Sequence, residues 1–238
     1  MDGSDKLTRS HESVIEELNK IHAAKSRKNH PLWIGMMTGK LSRPQIAEFL
    51  RQFAVIPLYN HFYHGPLYVS CPDPIWRRHM AEVVYEEGTG GIYSDGVAHY
   101  ELYLRMAEAF GVSREEMYST EYCGGALAVR HYLENICRTS FLEGYSALSL
   151  GGEAQAPGIA GKVSEGFMKY YGLTTEQAMF YSVHEIADSD HSGGGLEFLQ
   201  RFAPTDHEVN LVIKSVRDCV ETLWTMFEDI WQRVEKIK

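Results

Sequence analysis

Apolar residues recur at three- and four-residue spacings along almost the whole chain, and no segment alternates long enough to indicate a strand. This pattern predicts helices throughout. The first helix is expected from Ser10 to about Lys25, and the last from a cap at Thr205 or Asp206 to the C-terminus. The last helix has the clearest apolar face, formed by Val209, Ile213, Val216, Val220, Leu223, Phe227 and Ile230.

Capping residues, prolines and glycines divide the rest of the chain. The predicted helices run from Ser42 to about Tyr68, from Asp73 to the glycine-rich segment 88–96, from about Gly96 to Phe110, from Ser113, from about Ala126 to Leu150, and from Thr174 past His184. Pro57 and Pro66 should kink or divide the Ser42 helix. The sequence therefore predicts an all-α fold, a single helical domain over residues 1–238 with seven to nine helices.

Composition narrows the class of protein. The chain has 238 residues with 44% hydrophobic residues, enough for a sizeable core. The formal net charge of -9 disfavours nonspecific nucleic-acid binding. The sequence has no run of apolar residues long enough to span a membrane, and its N-terminus lacks the apolar stretch of a secretory signal. We therefore expect a cytoplasmic protein without membrane partners. The four cysteines are widely scattered, which is typical of buried free thiols.

The segment His184-Glu-Ile-Ala-Asp188-Ser-Asp-His191 indicates a metal site. At about 100° per residue, Asp188 and His191 lie within about 40° of His184 on one helix face. Two imidazoles and one carboxylate on one face suit a first-row divalent metal with open coordination positions. A polar helix face with coincidental histidines is the alternative.

Two further segments offer ligands of the same kind. Glu86 and Glu87 end one predicted helix, and His99 lies near the start of the next. Glu153 follows two glycines in a stretch otherwise low in charge. Helical bundles can assemble two-metal centres from Glu and His side chains on facing helices. Taken singly, surface salt bridges would be the better explanation of Glu86 and Glu87, and a satisfied core histidine the better explanation of His99.

These segments carry a resemblance to the haem-oxygenase-like diiron oxidase and oxygenase family, related in fold to pyrroloquinoline quinone synthase and thiaminase II. It extends from about His30 to Ile230. The matching segments are His30-Pro-Leu-Trp33, Glu86-Glu-Gly-Thr-Gly90 with His99-Tyr-Glu-Leu, Gly152-Glu-Ala-Gln155, and His184 to His191. The first segment indicates only the fold, whereas the others distinguish the metal-binding branch.

The resemblance implies two Fe(II) ions, O2 as co-substrate and no organic cofactor. The metal ligands it implies are Glu86, His99, Glu153, His184, Asp188 and His191, with Glu153 bridging. Among them, Glu153, His184 and Asp188 are the expected catalytic residues. Glu86 and Glu87 compete for the first position because the stretch before His99 is longer than in typical members. The family's Glu-x-Gly-x-Gly pattern favours Glu86.

By the same resemblance, the substrate is expected to be a small molecule, an amino acid or an amine-derived metabolite, which is desaturated, cleaved or N-oxygenated. The resemblance allows an external electron donor and a homodimer.

Aromatic residues are candidates for the wall of a substrate pocket: Phe53, Tyr59, Phe62, Tyr63 and Tyr181. Lys162 is a candidate partner for a substrate carboxylate. Core aromatics and a solvated lysine are the alternatives. The alternative functions are a cofactorless or thiamin-degrading enzyme of this fold and a non-catalytic helical binding protein.

Three glycines follow Ser192, directly after the His184 segment. Each glycine costs a helix interior roughly 1 kcal/mol relative to alanine. Close helix packing would explain them. The sharper hypothesis is that this segment orders only when iron binds, because metal ligation can supply folding energy.

Overall fold

The computed structural model describes the backbone of residues 6–192 and 194–238, and the side chains of these residues except 187–192. It contains thirteen α-helices and no strand within those bounds, so the predicted all-α class is confirmed. The predicted number of seven to nine helices is too low, because several segments expected to be continuous are broken into short helices.

The helices follow one another with short connections. They are α1 His11–Ala24, α2 Pro31–Thr38, α3 Arg43–Phe53, α4 His61–Ser70, α5 Pro74–Thr89, α6 His99–Ala109, α7 Arg114–Tyr118, α8 Gly124–Thr139, α9 Phe141–Tyr145, α10 Ala160–Tyr171, α11 Thr175–Ser192, α12 Gly195–Phe202 and α13 Asp206–Val234. A 3₁₀ turn, Arg27–Asn29, precedes α2.

Local capping explains most of the predicted boundaries. The Ser10 side chain accepts the Ser13 N–H at the start of α1, and Asp73 caps α5 in the same way. Complete capping boxes begin α3, α7 and α13, at Ser42, Ser113 and Thr205. Each cap satisfies backbone donors that would otherwise be unpaired at a helix N-terminus.

The predicted helix from Ala126 to Leu150 is wrong as a single element. The chain leaves the helical conformation at Ser140, which has an extended backbone (φ -152°, ψ 133°) and caps α9. The reason is tertiary, because α9 folds back so closely on α8 that a Cβ on Gly144 would lie 2.7 Å from the Cα of Cys137. A π-helical turn, Ser146–Gly152, then leads into a 3₁₀ turn that begins at Glu153.

Two smaller corrections concern the starts of helices. α6 begins at His99 rather than near Gly96, because residues 90–98 form a turn-rich loop. Pro57 lies in the turns between α3 and α4, whereas Pro66 is accommodated inside α4.

The C-terminal helix α13 is the centre of the core. It packs against α1, α3, α8 and the π-helical turn, and its apolar face is buried as predicted. The four cysteines are free thiols and all are buried, as expected. Across the described residues, no helix combines the length and apolar character needed to cross a membrane.

Candidate metal centre

The junction of α5 and α6 brings Glu86, Glu87 and His99 together. α5 ends at Gly90, whose positive φ of 66° and N–H bond to the Glu86 carbonyl form its C-cap. A Cβ on Gly90 would lie 2.1 Å from the carbonyl oxygen of Val97, so only glycine permits this close approach. The chain therefore reverses direction directly after α5, and His99, the first residue of α6, lies beside the end of α5.

Glu86 is a buried carboxylate that organises this loop. It accepts the backbone N–H groups of Ile92 (2.6 Å) and Tyr93 (3.1 Å) and the hydroxyl of Ser94, and its Oε1 lies 3.1 Å from Nε2 of His99. Burial opposes the charged form, but these hydrogen bonds outweigh it and lower the pKa of Glu86. Glu86 thus carries a full set of protein partners.

Glu87, the neighbouring residue, faces the opposite edge of the same imidazole. Its Oε1 lies 3.1 Å from Nδ1 of His99. The ligand atoms of Glu87, His99 and His184 all lie within 4.8 Å of one another. The rings of His99 and His184 have their centroids 4.7 Å apart. This arrangement can hold one metal ion.

In both histidines a protein acceptor faces one ring nitrogen, which leaves the other for a metal ion once the ring is neutral. Nδ1 of His184 donates to the Phe180 carbonyl at 2.6 Å, which leaves Nε2 as the lone-pair atom. Burial, with a smaller contribution from His99, lowers the pKa of His184 to about 4, so its ring is neutral at pH 7. On His99, Nε2 faces Glu86, and the buried Nδ1 faces Oε1 of Glu87. Glu87 and Glu86 overcome burial and raise the pKa of His99, while His99 overcomes burial and lowers the pKa of Glu87.

A second pair of side chains faces the same space. Oε1 of Glu153, which directly follows the π-helical turn, lies 3.5 Å from Nε2 of His64 on α4. Asn60, one turn before His64, donates its side-chain amide to Glu87. His64, Glu87, Glu153 and His184 all line one cavity of about 100 Å³. The described part of the chain therefore holds two groups of candidate ligands around one space.

The predicted ligands fare differently in the structure. His99 and His184 meet, but their carboxylate neighbour in the cluster is Glu87, whereas Glu86 is bound to the loop. Glu153 borders the cavity without joining the tight cluster. The side chains of Asp188 and His191 lie outside the described residues, as does part of the glycine-rich segment after Ser192.

The sequence analysis missed His64. Its signal was available, because Asn60 and His64 are four residues apart and share one helix face next to the cavity.

The cavity is lined mainly by apolar and aromatic side chains. Of the predicted pocket aromatics, Phe53, Tyr63 and Tyr181 contribute to its wall. Tyr59 and Phe62 instead pack under the guanidinium groups of Arg130 and Arg138. Lys162 is not part of the wall formed by the described residues, whereas Arg27, which the sequence analysis did not single out, is.

Comparison with known proteins identifies the class. Residues 47–224 match the family of iron-containing redox enzymes, and the chain belongs to that family. It is 24% identical over 232 residues to a 4-aminobenzoate synthase from Chlamydia pneumoniae, covering 94% of this chain and 97% of that protein. It is 25% identical over 226 residues to a pyrroloquinoline-quinone synthase from Xanthomonas oryzae pv. oryzae, covering 92% and 87%.

Solved structures confirm the fold. A TenA homologue from Pseudomonas syringae pv. tomato superposes with a TM-score of 0.78 at 14% identity, covering 93% of this chain and 92% of that one. A protein with a haem-oxygenase-like fold from Shewanella denitrificans gives a TM-score of 0.71 at 15% identity, covering 94% and 91%. The predicted haem-oxygenase-like helical bundle is therefore confirmed.

Proposed function

We propose that this protein is a non-haem diiron enzyme that uses O2 to oxidise a small molecule. The observation that carries the proposal is the cluster of Glu87, His99 and His184, of which Glu87 and His184 line a mainly apolar cavity. Two imidazoles and a carboxylate form a ligand set that suits iron once His99 has released the proton that its raised pKa favours. Nδ1 of His99, which faces Glu87 at 3.1 Å, and Nε2 of His184 are the atoms that such an ion needs.

We assign Glu87, in place of Glu86, to the first carboxylate position. The remaining ligands are His99, Glu153 and His184, together with Asp188 and His191 as the sequence indicates. Glu153 is the candidate bridging residue because it lines the same cavity as Glu87 and His184. Six such ligands suffice for two ions and leave coordination positions open for O2 and substrate.

The surrounding groups hold the ligands in position. Glu86 fixes His99 through Nε2, the Phe180 carbonyl fixes His184 through Nδ1, and Asn60 fixes Glu87. His64 is placed to do the same for Glu153. Partners of this kind set the tautomer and orientation of metal ligands. Bound iron would supply the electrons that activate O2, with an external donor restoring them between turnovers.

The cavity wall contributes by excluding water. Phe53, Phe180 and Leu223 are among the apolar side chains that surround the space in front of Glu87 and His184. A water-poor site favours oxidation of the bound substrate over side reactions. The names of the two sequence relatives support a biosynthetic oxidation, and we propose an amino acid or an amine-derived metabolite as the substrate class.

Anaerobic reconstitution with Fe(II) tests the proposal. The wild-type protein is expected to bind about two iron ions per chain, and His99→Ala fewer, because one ligand is removed. His131→Ala is the control, since His131 is exposed on α8. Iron-loaded protein is then screened with amino acids for O2 consumption. A chain that binds no iron but degrades thiamin would instead be a thiaminase-like enzyme. Two bound irons without O2 consumption would favour a binding protein.

A further inference from the structure

One part of the cavity wall is built for a negative charge. We call it the basic corner, formed by Arg27, Trp33 and Tyr181. Arg27 lies in the 3₁₀ turn before α2, is only 8% exposed, and donates through Nη2 to the Gly152 carbonyl at 2.6 Å. Its guanidinium carbon lies 5.7 Å from the centre of the Trp33 ring. A buried cation therefore forms part of a mainly apolar wall.

Two further donors in the basic corner have no partner. The indole Nε1 of Trp33 and the hydroxyl of Tyr181 are buried and make no hydrogen bond within the described residues. Trp33 is 2% exposed and Tyr181 is 4% exposed. Burial raises the pKa of the Tyr181 hydroxyl, so this group keeps its proton and can donate. Buried donors without partners are rare in folded proteins, and two in one cavity wall indicate a ligand that accepts from both.

The charge of the cavity restricts that ligand. A carboxylate has two oxygens that accept several hydrogen bonds and carries one negative charge. Glu87 and Glu153 border the same cavity, so a group with two negative charges would meet more repulsion. A monoanionic carboxylate fits the single guanidinium and the two neutral donors.

The basic corner lies next to the candidate metal centre. Tyr181 precedes His184 by three residues on α11, so the two side chains share one helix face at a rise of about 4.5 Å. Arg27 is bonded to the residue directly before Glu153. An acid bound at the corner would therefore hold its nearest carbon atoms in front of the metal ligands.

We propose that Arg27, Trp33 and Tyr181 bind the carboxylate of a compact carboxylic acid and present its neighbouring carbons to the metal centre. The second half of this inference rests on the proposed function, whereas carboxylate binding itself does not. The substrate class becomes a short carboxylic acid, including α-amino acids, whose oxidised atom lies a few bonds from the carboxylate.

Binding to metal-free protein tests the corner without turnover. Unbranched carboxylates from acetate to hexanoate are titrated into the protein in the presence of a chelator, by calorimetry or ligand-observed NMR. The primary amide of each acid is titrated separately for comparison. At least one acid is expected to bind about tenfold more tightly than its amide, because only the acid forms charge-assisted hydrogen bonds. Equal affinities, or no saturable binding of any acid, would overturn the proposal.

Matched variants locate the binding. Tyr181→Phe and Trp33→Phe each remove one donor and keep an aromatic ring, and each is expected to weaken acid binding several-fold and amide binding less, because a hydrogen bond to a charged acceptor is the stronger one. Tyr103→Phe and Trp76→Phe are the controls, since both residues are buried outside the cavity wall. Equal losses in the controls would assign the effect to general destabilisation and reject the corner.

The two proposals fail separately. Acid binding by metal-free protein without iron-dependent O2 consumption would retain the basic corner and reject the oxidase. Iron-dependent O2 consumption without any preference for acids would do the reverse.

Discussion

Oε1 of Glu86 lies 3.1 Å from Nε2 of His99, across the loop that joins α5 to α6. The next residue, Glu87, reaches the opposite nitrogen of the same ring at the same distance. Consecutive residues leave a helix about 100° apart, and the tight return at Gly90 places the imidazole between them. The two glutamates therefore have different tasks: Glu86 positions the ring, and Glu87 is free to share a metal ion with it.

Replacing each glutamate by glutamine separates these tasks. Glu86→Gln is expected to lower the free energy of unfolding of the metal-free protein by about 1–3 kcal/mol, because four donors lose a charged acceptor. It should weaken iron binding about 10- to 100-fold without changing the number of ions bound at saturation. Urea unfolding and iron titration measure these effects.

Glu87→Gln is expected to reduce the number of irons bound per chain even at saturating Fe(II), because a ligand is lost. Glu82→Gln, an exposed glutamate on the same helix, is the matched control for both substitutions. If Glu86→Gln lost bound iron and Glu87→Gln kept the wild-type stoichiometry, Glu86 would be the ligand, as the Glu-x-Gly-x-Gly pattern favours.

Gly90→Ala should disturb the return that brings His99 to the end of α5. The new methyl group would meet the Val97 carbonyl oxygen at 2.1 Å, in addition to the strain of a positive φ. Gly96→Ala imposes a similar strain at φ 76° with nothing within 4 Å of its Cβ. Gly96→Ala is expected to cost about 1 kcal/mol of unfolding free energy, and Gly90→Ala about 1–3 kcal/mol more.

Urea denaturation of the two glycine variants, with iron titration, checks this prediction. Weaker iron binding is expected for Gly90→Ala alone, because its loop carries the donors to Glu86. Equal destabilisation by both substitutions would mean that the loop adjusts to the contact with Val97 without loss of unfolding free energy, and that the loop does not fix His99.

Helix starts could be predicted from the sequence because the signals that set them are local. Ser10, Ser42, Asp73 and Thr205 each satisfy N–H groups two or three residues ahead. The start of α9 carries the same kind of signal, because Ser140 accepts the Glu143 N–H, but this pattern inside a continuous apolar periodicity does not show that α8 ends there. The end of α8 depends on α9 packing against α8 and on the close approach of Gly151 to α13, where an added Cβ would lie 3.3 Å from the Cα of Val216. Periodicity along one segment cannot reveal either contact.

The candidate site was predictable to the same extent. Residue spacing predicts that Asp188 and His191 share a helix face with His184, and the sequence also offers His99 as a candidate ligand. The choice between Glu86 and Glu87 depends on how the 90–98 loop folds, because the loop supplies the donors that bind Glu86. Arg27 comes from a segment without a matching motif, and only the tertiary fold brings it to the cavity. The four-residue spacing of Asn60 and His64, by contrast, indicates in the sequence that the two share a helix face.

His30 predicts a pH dependence of stability. It is fully buried, its Nδ1 accepts the Leu32 N–H at the start of α2, and its Nε2 lies 3.5 Å from Glu228. Burial lowers the pKa of His30 despite the opposing effect of Glu228. The fold therefore favours the neutral ring, whereas the unfolded chain takes up a proton near pH 6.5. Stability should fall as the pH drops below about 6.5.

His30→Asn isolates this contribution, because asparagine can still cap α2 but does not titrate. Urea unfolding of metal-free protein between about pH 7.5 and 5 should show a shallower loss of stability in the variant than in the wild type. Parallel pH profiles would mean that His30 takes up its proton equally in the folded and unfolded chain.

His64 tests whether a residue outside the predicted ligand set tunes the metal centre. Its Nε2 faces Oε1 of Glu153 at 3.5 Å, so His64→Asn removes the group that orients this carboxylate. We expect the variant to bind the wild-type number of irons. The chelator concentration that removes them should be about 10- to 100-fold lower than for the wild type, because partners of metal ligands contribute to affinity on this scale. His61→Asn is the control, since His61 is exposed on the same helix. A lower number of irons in His64→Asn would make His64 a ligand itself, whereas unchanged chelator competition would separate Glu153 from the metal centre.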